Sequence, residues 1–293
     1  MLVIFSPIFF RVRNLQGLAI AAAVEIPVVI GMHALLATGN FDLSVGSVAA
    51  FAGMAVASIL RSTGNIPLAL GVGFAIGILF GLLNGFLVAR VKLNAFVATL
   101  AMMGIARSMA LGFFEGRALT GFPDAFRWLG QNRVLDIVIG VWIALVIAIV
   151  ADFSFRKIKH LRRLYYIGSS TQAATYCGIS VPRTVLSGFL ISGIGAAYTG
   201  ISMTSRAMAA SPLIFRDLPL DAITACVIGG SSILGGEGSV VGAIIGLFIV
   251  MATRNIMLLL GVSVYWRSLV IGVILIIAVT TDAYMRSKET ELI

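Results

Sequence analysis

Apolar residues run through this chain in blocks of roughly 20, the length an α-helix needs to cross a bilayer. The blocks cover residues 15–38, 48–60, 66–89, 95–114, 135–151, 185–203, 240–260 and 265–281, with a shorter apolar segment at 222–234. About nine spans result, and the apolar stretch at residues 2–10 is too short to add another. The weak alternation of a membrane β-strand is absent. The pattern predicts an all-α polytopic membrane protein with about nine to ten transmembrane helices, some of them short or broken, in one transmembrane domain over residues 1–293.

The longest polar interruption is residues 155–183, FRKIKHLRRLYYIGSSTQAATYCGISVPR. It opens on Arg156, Lys157, Lys159, Arg162 and Arg163, and no acid follows Asp152 until Asp217. Basic loops stay in the cytoplasm, so this stretch sets the orientation. Arg90 and Lys92, two spans earlier, then fall on the same side, and residues 115–133 and 204–221 form outer loops. The tail at 284–293, with Arg286 and Lys288, is cytoplasmic if 222–234 crosses and external if that segment is re-entrant; crossing is the reading adopted. Inside the interruption, Ser169 and Ser170 are N-cap types, residues 171–177 make about two turns, and Gly178 with Pro182 stops the helix. Two turns are not stable alone. Such a helix rests on a partner protein or on lipid headgroups.

Composition narrows the class further. With 59% hydrophobic and 11% charged residues and a mean hydropathy of +1.06, a water-soluble globule is excluded, since the polar surface it needs is missing. The net charge of +9 is not interleaved with aromatics on a soluble face. It points to anionic lipids and not to nucleic acid. Cys177 and Cys226 have no metal or redox spacing. Residues 2–10 precede Arg11 and Arg13 and lack a small-residue cleavage site, so they read as a truncated segment or short anchor within residues 1–14, not a signal peptide.

Two places break the apolar rhythm at depth: residues 42–47 and 222–238. Non-helical backbone there requires surrounding protein or a water-filled cavity. Asp42, Ser44, Ser47, Asp221, Gly229, Gly230 and Ser239 are therefore candidates for a translocation path. The tetrapeptides Val45-Gly46-Ser47-Val48 and Glu237-Gly238-Ser239-Val240 hint at a repeat. The competing reading makes Asp42 a helix cap and the glycines packing residues. Glu25 and His33, eight positions apart with Pro27 between, are too distant for direct contact on a helix. They form a proton relay or polar links between helices. Arg107 either faces a cavity or snorkels.

Equally telling are the missing motifs. The sequence has no G-x-x-x-x-G-K-[ST] phosphate loop, no His-Glu-x-x-His and no G-x-S-x-G. Transport driven by nucleotide needs another chain to bind it.

Several collinear motifs resemble the permease subunits of ABC importers for ribose, xylose, galactose and related compounds, a family that also contains autoinducer-2 permeases. They are Asp42-Leu43-Ser44-Val45-Gly46-Ser47, Phe96-Val97-Ala98-Thr99-Leu100 with Met103 and Arg107, Leu220-Asp221-Ala222-Ile223, and the run GGSSILGGEGSV from Gly229 to Val240. The loop from Gly168 to Ile179 belongs to the same set. The resemblance implies about ten helices in a bacterial inner membrane, working as a homodimer or heterodimer. It also implies a cytoplasmic ATPase that holds ATP and Mg, an extracytoplasmic sugar-binding protein, and no cofactor in this chain. Gly168, Ser170, Thr171, Gln172, Ala173, Ala174 and Gly178 would form the ATPase-coupling segment within residues 155–183. Three features depart from the family pattern: most of a first span is missing, Asn40 and Phe41 replace Gly and Ile, and Gln172 replaces an acid before the two alanines. The alternative is a proton-coupled secondary transporter using Glu25, His33 or Asp42. An intramembrane enzyme or scaffold lacks any paired catalytic constellation.

Overall fold

The computed structural model describes residues 9–291, so most of the apolar stretch at 2–10 lies outside the described residues. The helices are α1 (Val12–Leu36), α2 (Val45–Thr63), α3 (Ile66–Ala89), α4 (Ala95–Gly112), α5 (Arg127–Gln131) and α6 (Ile139–Lys157). They continue with α7 (Lys159–Ser169), α8 (Thr171–Tyr176), α9 (Val181–Ala207), α10 (Leu218–Ile228), α11 (Val240–Leu259) and α12 (Arg267–Glu291). Among the described residues, seven helices are long and apolar enough to span a membrane, and Leu218–Ile228 and Arg267–Thr281 are shorter apolar helices. The all-α polytopic expectation holds.

Local chemistry explains the helix ends. Asn65 Oδ1 accepts from the Leu68 amide at 3.0 Å, and Pro67 in the first turn of α3 sacrifices no intrahelical bond. Asn94 caps α4 through the Phe96 amide at 2.9 Å, and Ser239 caps α11 through the Gly242 amide at 3.0 Å.

Helix α9 is the hub. Its apolar window is 72% buried, as are those of α1 and α2, against 28% for α3 and 17% for α6; α9 packs on α1, α2 and α3 together, while α3 and α6 present their flanks outward. Apolar helices in lipid gain little from burying more oil, and close backbone packing holds them together instead. Gly193 of α9 meets Gly77 of α3, Gly200 meets Ala49 and Gly53 of α2, and Gly31 of α1 sits on the Ser192 backbone; a Cβ at any of these glycines would overlap its neighbour. The outward faces carry Leu79, Leu82 and Phe86 on α3 and Val146, Ile149 and Phe153 on α6, side chains suited to acyl chains.

Helices α10 and α11 form an antiparallel pair, with Gly229 against Gly242 and Gly246 against Ala225. The connecting turn, residues 229–239, meets the end of α1 and the end of α7, where the Gly236 amide donates to the Ala37 carbonyl at 3.1 Å. Thus α10 carries the chain towards the α7–α8 end and α11 carries it away. Eleven residues of α10 span only about 16 Å, about half the thickness of a bilayer's hydrocarbon core.

Two polar stretches hold more structure than their sequence promised. Residues 115–133, read as a loop, contain β1 (Leu119–Thr120) and α5. Strand β1 pairs antiparallel with β4 (Ala209–Ala210), which ties the two polar connections at that end together. Strands β2 (Arg133–Val134) and β3 (Ile137–Val138) pair as a short ribbon before α6. The basic stretch after α6 is also helical: the chain turns at an extended Ile158 and continues as α7. That helix buries Leu164 and Ile167 and leaves Arg162, Arg163 and Tyr166 exposed.

Candidate functional site

Asp42 is 2% exposed and lies in the joint between α1 and α2. Its Oδ1 accepts from the Ser44 amide at 2.8 Å and from Ser44 Oγ at 2.6 Å, while Oδ2 accepts from Ser192 Oγ of α9 at 3.1 Å. Asn84 of α3 donates to Ser44 Oγ at 2.9 Å. One carboxylate therefore fastens the joint to two other helices. It is not the cap of α2, since Ser44 occupies that position. Ser47, one turn on, is buried with its Oγ unpartnered. The repeat hint fails geometrically: Ser239 is a helix cap, whereas Ser47 lies inside α2.

Gly229, Gly230 and Ser239 belong to the turn between α10 and α11, which is built on left-handed glycines at 230, 235 and 236 (φ +86°, +98° and +84°). His33, fully buried, bridges this turn to α7. Its Nδ1 lies 2.9 Å from Ser231 Oγ and its Nε2 lies 2.7 Å from Tyr165 Oη. Burial pushes the Tyr165 hydroxyl up to about 12, with the Asp152 carboxylate adding to the shift and Arg156 opposing it. The phenol stays protonated across the physiological range. Glu25 and His33 do not form a relay, because their partners are different: Glu25 faces a separate cavity.

The short helix α8 matches its sequence signals. Ser170 is extended and its Oγ accepts from the Ala173 amide at 3.2 Å; Gly178 ends the helix at φ +75°. Thr171 Oγ1 donates back to the Ile167 carbonyl at 3.1 Å. Only Ala174 points inward, into a cluster with Leu35, Ile167, Val185 and Phe189. Gln172, Ala173 and Cys177 are exposed, and Tyr176 is 90% exposed. Gly168, just upstream, packs so tightly under the Ala37 carbonyl and the Gly236 amide that a Cβ there would overlap both. A groove of about 560 Å³ runs between α8 and the α1–α2 joint, and it brings Asn40 and Phe41 beside Thr171 and Thr175.

Asp221 stands apart from the glycine turn, at the other end of α10, and pairs with Arg254 of α11. Glu25 and Arg267 wall the same cavity, of about 230 Å³. Sequence reasoning missed Arg254 and Arg267. The available signal was an arginine inside the apolar run 240–260, where an ionisable residue is costly without a partner. Arg107 neither snorkels nor lines this cavity: it donates to the carbonyls of Pro212 and Ile214, pinning the connection between β4 and α10.

Close-packed apolar helices, buried polar locks between them and an exposed capped helix at one end define a multi-pass membrane protein. The family model for the branched-chain amino acid transport system / permease component matches residues 14–279. The chain belongs to this family, and it is the permease subunit of an ABC importer in the inner membrane. It is 34% identical over 281 residues to the ribose import permease protein RbsC of Escherichia coli strain K12, covering 94% of this chain and 88% of that protein. It is 32% identical over 283 residues to the L-arabinose ABC transporter permease protein AraH of Azospirillum brasilense, covering 97% and 84%. No solved structure matches the chain.

Proposed function

We propose that this permease imports a monosaccharide or a closely related polyol-like solute, handed over by an extracytoplasmic binding protein and driven by ATP hydrolysis on a separate cytoplasmic subunit. Its relatives' names supply the substrate class. One observation supports the coupling scheme above the others: α8 is a capped helix of six residues with one inward side chain and an outward face, Gln172 to Cys177, that is otherwise solvent-exposed. That geometry fits docking into a groove on the ATPase, which holds ATP and Mg. The basic face of α7 supports a cytoplasmic position for this end, in contact with anionic headgroups, with the tail at 284–293 on the same side.

A second permease copy completes the path. As the ATPases close and reopen, α8 moves with them, and backbone contacts at Gly168 pass the movement to the end of α1 and to the 229–239 turn. The Asp42–Ser44–Ser47 joint, Asp221, Gly229, Gly230 and Ser239 then shift relative to α9 and alter access to the path. Deleting residues 171–177, or replacing Gly178 with proline, abolishes ATPase association while membrane insertion persists. Unchanged co-purification of the ATPase with the deleted variant would sink the coupling scheme.

A further inference from the structure

The cavity between α1, α10, α11 and α12 holds charged groups whose hydrogen-bonding capacity helix packing leaves partly unused. Glu25 lies about 20 Å into α1 by helix rise, flanked by buried Val24 and Ile26, yet it keeps accessible surface. That surface faces the cavity. Among the described residues nothing donates a hydrogen bond to its carboxylate.

The opposite walls are similarly incomplete. Asp221 uses Oδ2 on Arg254, but its Oδ1 and the Nε groups of Arg254 and Arg267 are buried without a hydrogen-bond partner. A structural ion pair in a membrane helix bundle is stable when its remaining donors and acceptors are satisfied. Here two carboxylate acceptors and two guanidinium donors on one 230 Å³ cavity are left over.

Charge decides the ligand class. The cavity is walled by three acids, with Asp217 the third, and three arginines, with Arg216 the third. An anion meets the carboxylates and a cation meets the guanidiniums, so the balance favours a neutral molecule. That molecule has to donate and accept at adjacent atoms, which is what a row of hydroxyls does. The volume suits one sugar ring.

We infer that Glu25, Asp221, Arg254 and Arg267 form a binding subsite for a single neutral polyhydroxylated ring during its passage, with Glu25 as an acceptor from ring hydroxyls. The inference rests on the monosaccharide reading above.

The test uses the complete importer, with its ATPase and binding protein, in proteoliposomes. Uptake of labelled ribose, L-arabinose and D-xylose is measured together with the ATP hydrolysed per sugar imported. Glu25→Gln and Asp221→Asn keep shape and remove charge; Arg254→Lys keeps charge and removes the planar donor set. The expected result is at least a tenfold fall in uptake for Glu25→Gln, ATP hydrolysis within twofold of wild type, and an altered preference among the three sugars. Wild-type uptake and preference in Glu25→Gln and Asp221→Asn overturn the subsite and leave the monosaccharide reading standing. Uptake and ATP hydrolysis falling together in all three variants, with a lowered melting temperature, make the cluster structural and also overturn it. A wild-type importer that hydrolyses ATP but imports none of these sugars overturns both readings.

Discussion

Gly168→Ala opposes two effects of comparable size, and the structure decides between them. Alanine is the better helix former by up to about 1 kcal/mol, so in sequence terms the change at the end of α7 is favourable. In the fold, a Cβ at residue 168 overlaps the Ala37 carbonyl and the Gly236 amide, two groups bonded to each other at 3.1 Å. Overpacking costs about 1–3 kcal/mol, and breaking that bond in a buried place costs about 1–3 kcal/mol more. After the helix gain, the net loss is about 1–5 kcal/mol. Gly71→Ala is the control: that glycine also lies in a helix, with nothing within 4 Å of a built Cβ, and the change is expected to be neutral or stabilising by up to about 1 kcal/mol. Reversible unfolding of both variants in mixed micelles separates the cases, and ATP hydrolysis stimulated by the loaded binding protein reports coupling. A Gly168→Ala protein as stable as the Gly71→Ala protein, with normal stimulated hydrolysis, would refute the tight-junction argument.

Asp42→Ala leaves the Ser44 amide and hydroxyl and the Ser192 hydroxyl without their acceptor, and is expected to lose about 2–4 kcal/mol in the same unfolding assay. Ser170→Ala removes the cap on α8 at about 1 kcal/mol of local helix stability, read as faster amide exchange over residues 171–176 with the spans unchanged. Tyr165→Phe tests the pH dependence. The Tyr165 pKa rises from 10.0 to about 12 in the fold, so the unfolded chain ionises first. The contribution of the hydroxyl is whole below pH 10 and declines as pH rises towards 12. The stability gap between wild type and Tyr165→Phe therefore narrows over that window, and melting curves at pH 9 and 11 check it.

Hydropathy alone determined the spans, because twenty apolar residues in a bilayer have few options besides a helix. Cap chemistry was legible for the same local reason: Ser170 and the Ala173 amide it bonds are three positions apart. Even α7, missed as a helix, was legible in principle from Leu161, Leu164 and Ile167 at helical spacing. What no local pattern could reveal is which faces meet. Asp42 and Ser192 are 150 positions apart, and Asp221 and Arg254 are 33 apart across a glycine turn. A helix such as α3 is apolar almost all round, so its sequence marks no face for a partner. The choice among helix arrangements was made by small residues that let backbones touch and by a few buried polar bonds, and both depend on where the whole chain has already placed α9. The sequence by itself determined a many-span membrane protein with a short capped helix inside its basic interruption; only the tertiary structure decided that Glu25 shares a charged cavity with Asp221 and that Gly168 packs the end of α7 against the core.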